Sequence, residues 1–364
     1  MSGSGAARPL GGGPDLPSPA AAPAETAPLE LRVLQLNIWH DASAVPGAFE
    51  ALVERIVGVD AHIVALCEVS NHDGATCERL VEALSAGGQR WYGASGSCSG
   101  VQGTDVCVVS RYPIAECTTG LATISGGVDT RVRIDVDGYA VTVYPAHLDY
   151  THYACYLPRG YDGVTWRKLE APVADAQAVV RMNRGSTRDE AVAAFVAEAS
   201  RERADLILLA GDFNEPSHLD WTDATRGLWD HNGCVVPWDC SVTLCGAGFR
   251  DVYRELHPDP TTHPGFTYPS DNARKEPREL TWAPEADERD RIDFVYYLPG
   301  GAFVATQAAV VGPRSSIVRC ERLDETGCDT FLEPAGGVWP SDHKGVLATF
   351  RAVRGPAGAP AAGR

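Results

Sequence analysis

The segment DLILLAGDFNEPSHLDW (205–221) drives an apolar run, Leu206 to Ala210, straight into Gly-Asp-Phe-Asn. Asp and Asn are ordinary turn residues at the end of a strand. A spacing of two along extended backbone also aims the side chains of Asp212 and Asn214 to one side. A site uses that arrangement to hold a charged group and a hydrogen-bonding group over one reacting atom. The same placement recurs along the chain. Asn37 follows LRVLQL, Glu68 follows HIVALC, His147 and Asp149 follow VTVYPA, and Asp342-His343 precedes KGVLATF. Asp293 lies inside RIDFVYY between Ile292 and Phe294, where burial of a carboxylate demands a partner.

Singly, each residue has an ordinary structural use. Asn37 suits a turn cap before Trp39, Glu68 an arginine partner, and His147 a hydrogen-bonded structural ring. Jointly they compose a phosphoester chemistry. Glu68 and Asp342, helped by the Asn37 carbonyl, are hard oxygen donors that suit Mg²⁺. Asp212 is placed to orient or deprotonate a water, and Asn214 to donate hydrogen bonds to a phosphoryl oxygen as charge develops there. His147 and His343, each held by an acid, can donate to non-bridging oxygens or supply a proton, with Asp293 the natural partner of His343.

Such residues need a scaffold of strands. Alternation and aliphatic content predict strands over 31–38, 63–69, 105–110, 130–136, 139–144, 206–210, 291–298, 303–311 and 345–351, with Asp137-Gly138 as a two-residue hairpin turn. Helical spacing marks 46–57 and 187–203, the second opened by a capping box of Thr187 and Glu190. Helices interspersed among strands, with hairpins and crossovers both present, define an α/β (α+β) class of helices layered over sheets. The 364 residues, 44% hydrophobic, suffice for a single large core, and one domain over 29–353 is expected. The Gly-, Ala-, Ser- and Pro-rich ends, 1–28 and 354–364, are expected to be disordered.

Composition narrows the partners. A formal charge of −17 disfavours general tight binding to duplex DNA, which relies on basic stripes, so a small phosphorylated substrate is preferred over nucleic acid. No apolar run reaches the roughly 18 residues of a membrane span. The N-terminal stretch carries no signal-peptide pattern, favouring a cytoplasmic monomer. Eleven cysteines favour the alternative of secretion, with Cys320 and Cys328 spaced for a disulfide-closed loop. A zinc cluster of His231, Cys234, Cys240 and Cys245 is a weaker alternative, for no C-x-x-C is present.

LQLNIW, ALCEV, YPAHLDY, LAGDFNEPSHLDW, RIDFVYY and SDHKGVLATF, in that order, resemble the endonuclease/exonuclease/phosphatase superfamily, whose members include DNase I, abasic-site endonucleases, inositol-phosphate phosphatases and neutral sphingomyelinases. The resemblance runs from Leu31 to Phe350. It implies a DNase I-like, four-layered sandwich of two packed mixed β-sheets flanked by helices, with a site at one edge and Mg²⁺ or Mn²⁺ as cofactor. By the same resemblance, Asn37, Glu68 and Asp342 are metal-side residues and His147 a phosphate-binding or acid histidine. Asp212 is then the water-orienting carboxylate, Asn214 its phosphate and metal neighbour, and Asp293–His343 the acid–histidine pair. The implied activity is metal-dependent hydrolysis of a phosphodiester or phosphomonoester by in-line attack of water. A nuclease or secreted lipid phosphodiesterase of the same fold, and a non-catalytic phosphate-binding module, are the competing readings.

The long segment 150–186 carries five basic residues and several aromatics on an acidic chain. Loops of this length are usually functional or disordered. Arg159 or Arg167 is expected to contact a second anionic group of the substrate, with Trp166 or Tyr161 stacking on a ring. Glu215, His218, Asp220 and Trp221 are further candidates for the same cleft.

Overall fold

Each apolar run singled out above becomes a strand in the computed structural model, which describes Met1 and residues 28–69, 76–95, 105–121, 128–334 and 336–356. The leader and tail expected at the chain ends lie almost wholly outside these residues. The strands are β1 (Glu30–Asn37), β2 (Ile63–Cys67), β3 (Tyr92–Ser95), β4 (Val106–Ser110), β5 (Ile114–Thr118), β6 (Arg131–Val136), β7 (Tyr139–His147), β8 (Leu206–Asp212), β9 (Arg250–Asp251), β10 (Asp293–Tyr297), β11 (Phe303–Val311), β12 (Ser315–Val318), β13 (Glu321–Asp324), β14 (Phe331–Leu332) and β15 (Gly345–Ala352).

While β12 and β13 pair as a separate hairpin, the other thirteen form a seven-stranded sheet in the order β14-β11-β15-β1-β2-β4-β3 and a six-stranded sheet in the order β5-β6-β7-β8-β10-β9. Both are mixed: β1 runs parallel to β2 and antiparallel to β15, and β8 runs parallel to β7 and antiparallel to β10. Strand parity assigns the layers. Val33, Ala65, Val143, Leu208 and Val295 share one buried cluster between the sheets. Their neighbours Leu34, Leu36 and Leu66 turn outward under Leu52, Ile56, Leu80 and Leu84 of the helices Ala48–Gly58 and Thr76–Ser85. On the other side Tyr144, Leu209 and Phe294 meet Val192, Phe195 and Ala199 of the helix Arg188–Ala199. Helix, sheet, sheet and helix make the four layers.

One glycine is dictated by close approach. A Cβ at Gly211 would lie 1.8 Å from the Ala146 carbonyl oxygen, across the parallel pairing of β7 and β8 that aligns Ala146 with Gly211 and His147 with Asp212. The Gly in Gly-Asp-Phe-Asn therefore lets two site-bearing strand ends lie side by side.

Local details depart from the sequence reading. Thr187 occupies the N-cap of its helix without a side-chain capping bond; its N–H donates instead to Asp149 Oδ2 at 3.3 Å, so the capping box does not form. Cys320 sits in the turn of the β12–β13 hairpin while the Cys328 N–H is bonded to the Thr262 carbonyl, and both carry free thiols rather than a disulfide. The zinc cluster is absent among the described residues. His231 stacks on Trp221 at 3.7 Å, Cys234 donates to the Ala174 carbonyl, and Cys240 packs in a separate apolar cluster.

The segment 150–186 is ordered around its own core, in which Tyr153, Tyr156 and Tyr161 pack with Val179, Trp221, Trp238 and Ile292. Arg159 fastens it. The guanidinium is buried, paired with Asp290 and donating to the Arg289 carbonyl at 3.0 Å, and Asp290 also accepts from Trp221 Nε1. This overturns the expectation that Arg159 meets substrate: its charge is consumed inside the protein. Arg159→Ala strands a buried carboxylate and is expected to destabilise the fold by about 3–5 kcal/mol in denaturant unfolding. Arg167→Ala, at an exposed position, should change stability by less than about 0.5 kcal/mol.

Candidate active site

The site lies where β1, β2, β7, β8 and β10 end together. Asp212, buried at the last position of β8, accepts from Asn37 Nδ2 through Oδ2 (3.1 Å) and from the Asn214 N–H through Oδ1 (2.8 Å). The Nε2 atoms of His147 and His343 stand 3.9 and 3.8 Å from the same Oδ2. A buried carboxylate thus sits between two imidazoles.

Each imidazole is backed by an acid. His343 Nδ1 meets Asp293 Oδ2 at 2.9 Å, and Gln35 Nε2 donates to the other oxygen of Asp293 at 2.8 Å. His147 Nδ1 meets Asp105 Oδ2 at 2.5 Å. Burial pulls both rings toward the neutral form. The charges and hydrogen bonds of Asp105, Asp212 and Glu68 outweigh it for His147, which is held up at about 9. Asp293, Asp212 and Asp342 do the same for His343, held up at about 10. Burial raises Asp212 against the opposing pull of the two histidines, which makes it a better proton acceptor than an exposed aspartate.

Two of these residues hold left-handed backbone, Glu68 at φ 59° and Asn214 at φ 48°, rare for side chains of their size and a form of strain that clusters at functional sites. The extended spacing of two expected for Asp212 and Asn214 is therefore replaced by a turn. Asn214 bends back so that its Nδ2 donates to the Leu148 carbonyl at 3.0 Å, while Phe213 packs into the core against Phe294 and Tyr296. A further left-handed turn, Trp39–Ala42, wraps Glu68: the His40 N–H donates to Glu68 Oε2 (2.8 Å) and the Asp41 N–H to the Glu68 carbonyl (2.8 Å).

The oxygen donors fit a hard divalent cation. Glu68 Oε1 accepts from Asn37 Nδ2 at 3.0 Å. Asp342 Oδ1 is buried with no hydrogen-bond partner, and burial, with Glu68 and Asp212 adding to it, holds Asp342 up at about 6 against the pull of His343. An orphaned, destabilised carboxylate oxygen facing a second carboxylate is the electrostatic signature of a cation position. The Asn37 oxygen already accepts from the Trp39 N–H at 3.0 Å, so only its second lone pair remains for a metal. Asp212, Asp293 and His343 also approach closely enough to hold an ion, but Asp293 is bonded to His343 and Gln35, and Asp212 to Asn37 and Asn214.

Glu68, Asp105, His147, Asp212, Asn214, Asp342 and His343 line one cavity of about 490 Å³, together with Trp39, Tyr150, Tyr153, Tyr156, Trp166, Tyr268 and Trp282. Trp166 is the expected substrate residue that reaches it; Arg159 and Arg167 do not, and Tyr161 is buried in the neighbouring core. Glu215 is buried against Asn183 and Arg188, and Asp220 against Arg254 and Arg291, so neither faces the cleft. His218 is turned to Ser241 Oγ at 2.7 Å.

Sequence reasoning missed Asp105, Gln35 and most of the aromatic wall. Gln35 had a signal, a polar residue inside an apolar strand, the same mark that exposed Asp293. Asp105 opens a strand and is indistinguishable there from a turn residue.

Two sheets flanked by helices, with paired acid–histidine units and an acidic cation position at the strand ends, define a metal-assisted phosphoesterase of the DNase I-like kind. The Endonuclease/Exonuclease/phosphatase family model matches residues 34–343, and the chain belongs to that family. It is a metal-dependent phosphoester hydrolase. An uncharacterized protein of Caenorhabditis elegans is 26% identical over 325 residues, 88% of this chain and 91% of the relative. Among solved structures, TDP2 of D. rerio, complexed with single strand DNA product, has a TM-score of 0.49 at 14% identity, covering 88% of this chain and 98% of its own. An endonuclease/exonuclease/phosphatase from Beutenbergia cavernae has a TM-score of 0.48 at 20% identity, covering 89% and 72%.

Two predictions follow from the charges. Both histidines have folded values above their ordinary 6.5, so their stabilising contribution is full below that pH and is lost as pH climbs through about 9 and 10. Thermal melts should show stability falling across that window, and Asp105→Asn should move the His147 part down toward neutrality. Asp342 acts in the same sense over a lower window. Raised from 3.8 to about 6, it costs the metal-free fold stability as pH rises between those values, and its proton competes with any cation for the carboxylate. Stabilisation by added Mg²⁺ should be clear at about pH 7.5 and weaken by up to tenfold in affinity per unit below about pH 6, a dependence that Asp342→Asn removes.

Proposed function

We propose that this chain hydrolyses a small phosphoester with Mg²⁺ or Mn²⁺, by in-line attack of water and without a protein nucleophile. The observation that carries the reading is the convergence of Asp212, Asn37, His147 and His343 around one carboxylate oxygen on the wall of a single cavity. Glu68 and Asp342, with Asn37 beside them, would hold the cation, which when bound neutralises phosphoryl charge as a Lewis acid. Asp212 orients the attacking water and takes its proton, its acceptor strength raised by burial. His343, kept protonated and oriented by Asp293, donates through Nε2 to a non-bridging oxygen as charge develops. His147, kept protonated by Asp105, supplies a second donor or the proton for the leaving oxygen, and Asn214 holds the loop after β7 in register.

Small-substrate preference is supported by what lines the cavity. Among the described residues, no Lys or Arg lines the cavity, and seven aromatics do. A polyanion needs cations along its path, whereas one phosphate attached to an apolar or planar group needs a metal and an aromatic wall. Trp166 packs against Trp282 at 5.7 Å, and Trp282 is 60% exposed, leaving a ring face for such a group. The loops bearing the two tryptophans are tied by Lys168 to Glu285 and by the Glu285 N–H to Tyr161 Oη.

The test is a panel of aryl and alkyl phosphate esters, sugar phosphates, nucleotides, phospholipids and plasmid DNA, each with Mg²⁺ and Mn²⁺. Turnover should vanish with EDTA and fall about 10²–10⁴-fold in Asp212→Ala. Trp282→Ala should raise KM for esters with bulky apolar groups and leave kcat within about threefold. Preferred cleavage of plasmid DNA would overturn the substrate reading, and EDTA-resistant turnover the mechanism.

A further inference from the structure

Away from the active site lie two thiols that the chemistry above leaves unused. Cys77 lies in the first turn of the helix Thr76–Ser85 and Cys107 in β4. Their sulfurs stand 2.7 Å apart and both residues are buried. The site is shaped for the pair. Gly93 of β3, aligned with Val109 of β4, passes beneath the helix, and a Cβ there would come within 2.9 Å of Cys77 Sγ and 2.6 Å of Val81 Cγ2. Any larger residue would push Cys77 off the sheet.

We propose that Cys77 and Cys107 form a structural disulfide when the protein is held in an oxidising environment. The sulfurs already face each other from two elements fixed by the core, so bonding distance, about 2.05 Å, requires only a side-chain adjustment. The other described cysteines near the site are engaged differently: Cys67 Sγ donates to the Ala146 carbonyl and accepts from the Asp212 N–H. With a small disulfide such as glutathione disulfide as oxidant, one protein thiolate attacks a glutathione sulfur and expels a glutathione thiolate. The second protein thiolate then attacks the mixed disulfide and expels the other. One protein S–S bond forms, two thiol protons are released, and two electrons reduce one glutathione disulfide to two glutathiones. Burial makes the bond slow to form and slow to reduce, a brace rather than a switch.

Its position gives it a purpose. The bond would close a loop between residues 30 positions apart, within which lies Asp105, the acid behind His147. It would also clamp the helix that follows the Glu68 segment onto the strand that follows Asp105. Two arms of the active site would then share one covalent tie.

The purified full chain is equilibrated with glutathione buffers from reducing to oxidising, then denatured in iodoacetamide and peptide-mapped by mass spectrometry. The proposal expects a peptide linking Cys77 to Cys107 under oxidising buffer, and a melting temperature about 5 °C above that of the reduced sample. Cys77→Ala and Cys107→Ala should each abolish that difference. Recovery of both residues as alkylated thiols at every glutathione ratio, or linked to other cysteines, overturns it. If an alanine variant fails to fold, the wild-type map alone decides.

Discussion

The hydrogen bond from Asn37 to Asp212 joins one sheet to the other, and the site depends on it. Asn37 ends β1 in the seven-stranded sheet and Asp212 ends β8 in the six-stranded sheet. Behind them, Gln35 reaches across the same interface to Asp293, and Cys67 accepts from the Asp212 N–H. Apolar side chains hold the rest of that interface together without direction. These few polar contacts are directional, so they fix the register in which the sheets meet. A shift of one sheet against the other would strip the cross-sheet partners from Asp212, Asp293 and Gln35, at a desolvation cost for each buried atom left unpaired. The groups proposed for the chemistry therefore also enforce the packing that assembles them.

Much of this was legible in the sequence because strands impose a period. Asn37, Glu68, His147, Asp212 and Asp342 stand at the margins of apolar runs, and residues in that position gather at one edge once the strands are laid in sheets. Asp293 was legible for a different reason: a carboxylate between Ile292 and Phe294 must be paired, and the structure supplies His343 at 2.9 Å. The backbone at the margins was not legible. Left-handed conformations at Glu68, Asn214 and Trp39–Ala42 are imposed by hydrogen bonds converging on Glu68 and Leu148, and no residue there is a glycine that would have announced them. Asp105 was hidden because its partner, His147, is 42 positions away and nothing local distinguishes an aspartate that backs a histidine from one that opens a strand.

The insertion 150–186 shows where charge is a poor guide. Arginines on an acidic chain invite the inference of an anionic ligand, but Arg159 is consumed by Asp290, and Arg188 by carbonyls at Asp149, Thr151 and His152. A guanidinium offers five donors in a fixed plane and so suits the stapling of irregular backbone as well as it suits phosphate. In a long segment with little regular structure, unpaired carbonyls are plentiful, and arginine answers them. The aromatics there were the more informative residues, because Tyr153, Tyr156 and Trp166 serve the packing and the cavity with the same rings.

The distribution of charge around the cavity then follows from what a bound cation would do. Glu68, Asp105, Asp212 and Asp342 place four carboxylates at the cavity wall, with Asp293 buried behind it. His147 and His343, protonated, return two positive charges. A divalent ion adjacent to Glu68 and Asp342 would bring the wall itself close to neutrality, so the phosphate would meet directed donors and a metal rather than a diffuse positive field. On the function proposed above, specificity for the remainder of the ester would be left to the aromatic side, where shape and ring contact discriminate without regard to salt. On that reading the substrate is selected at the apolar end and reacts at the ionic one, and the two ends share one cavity at the joined sheet edges.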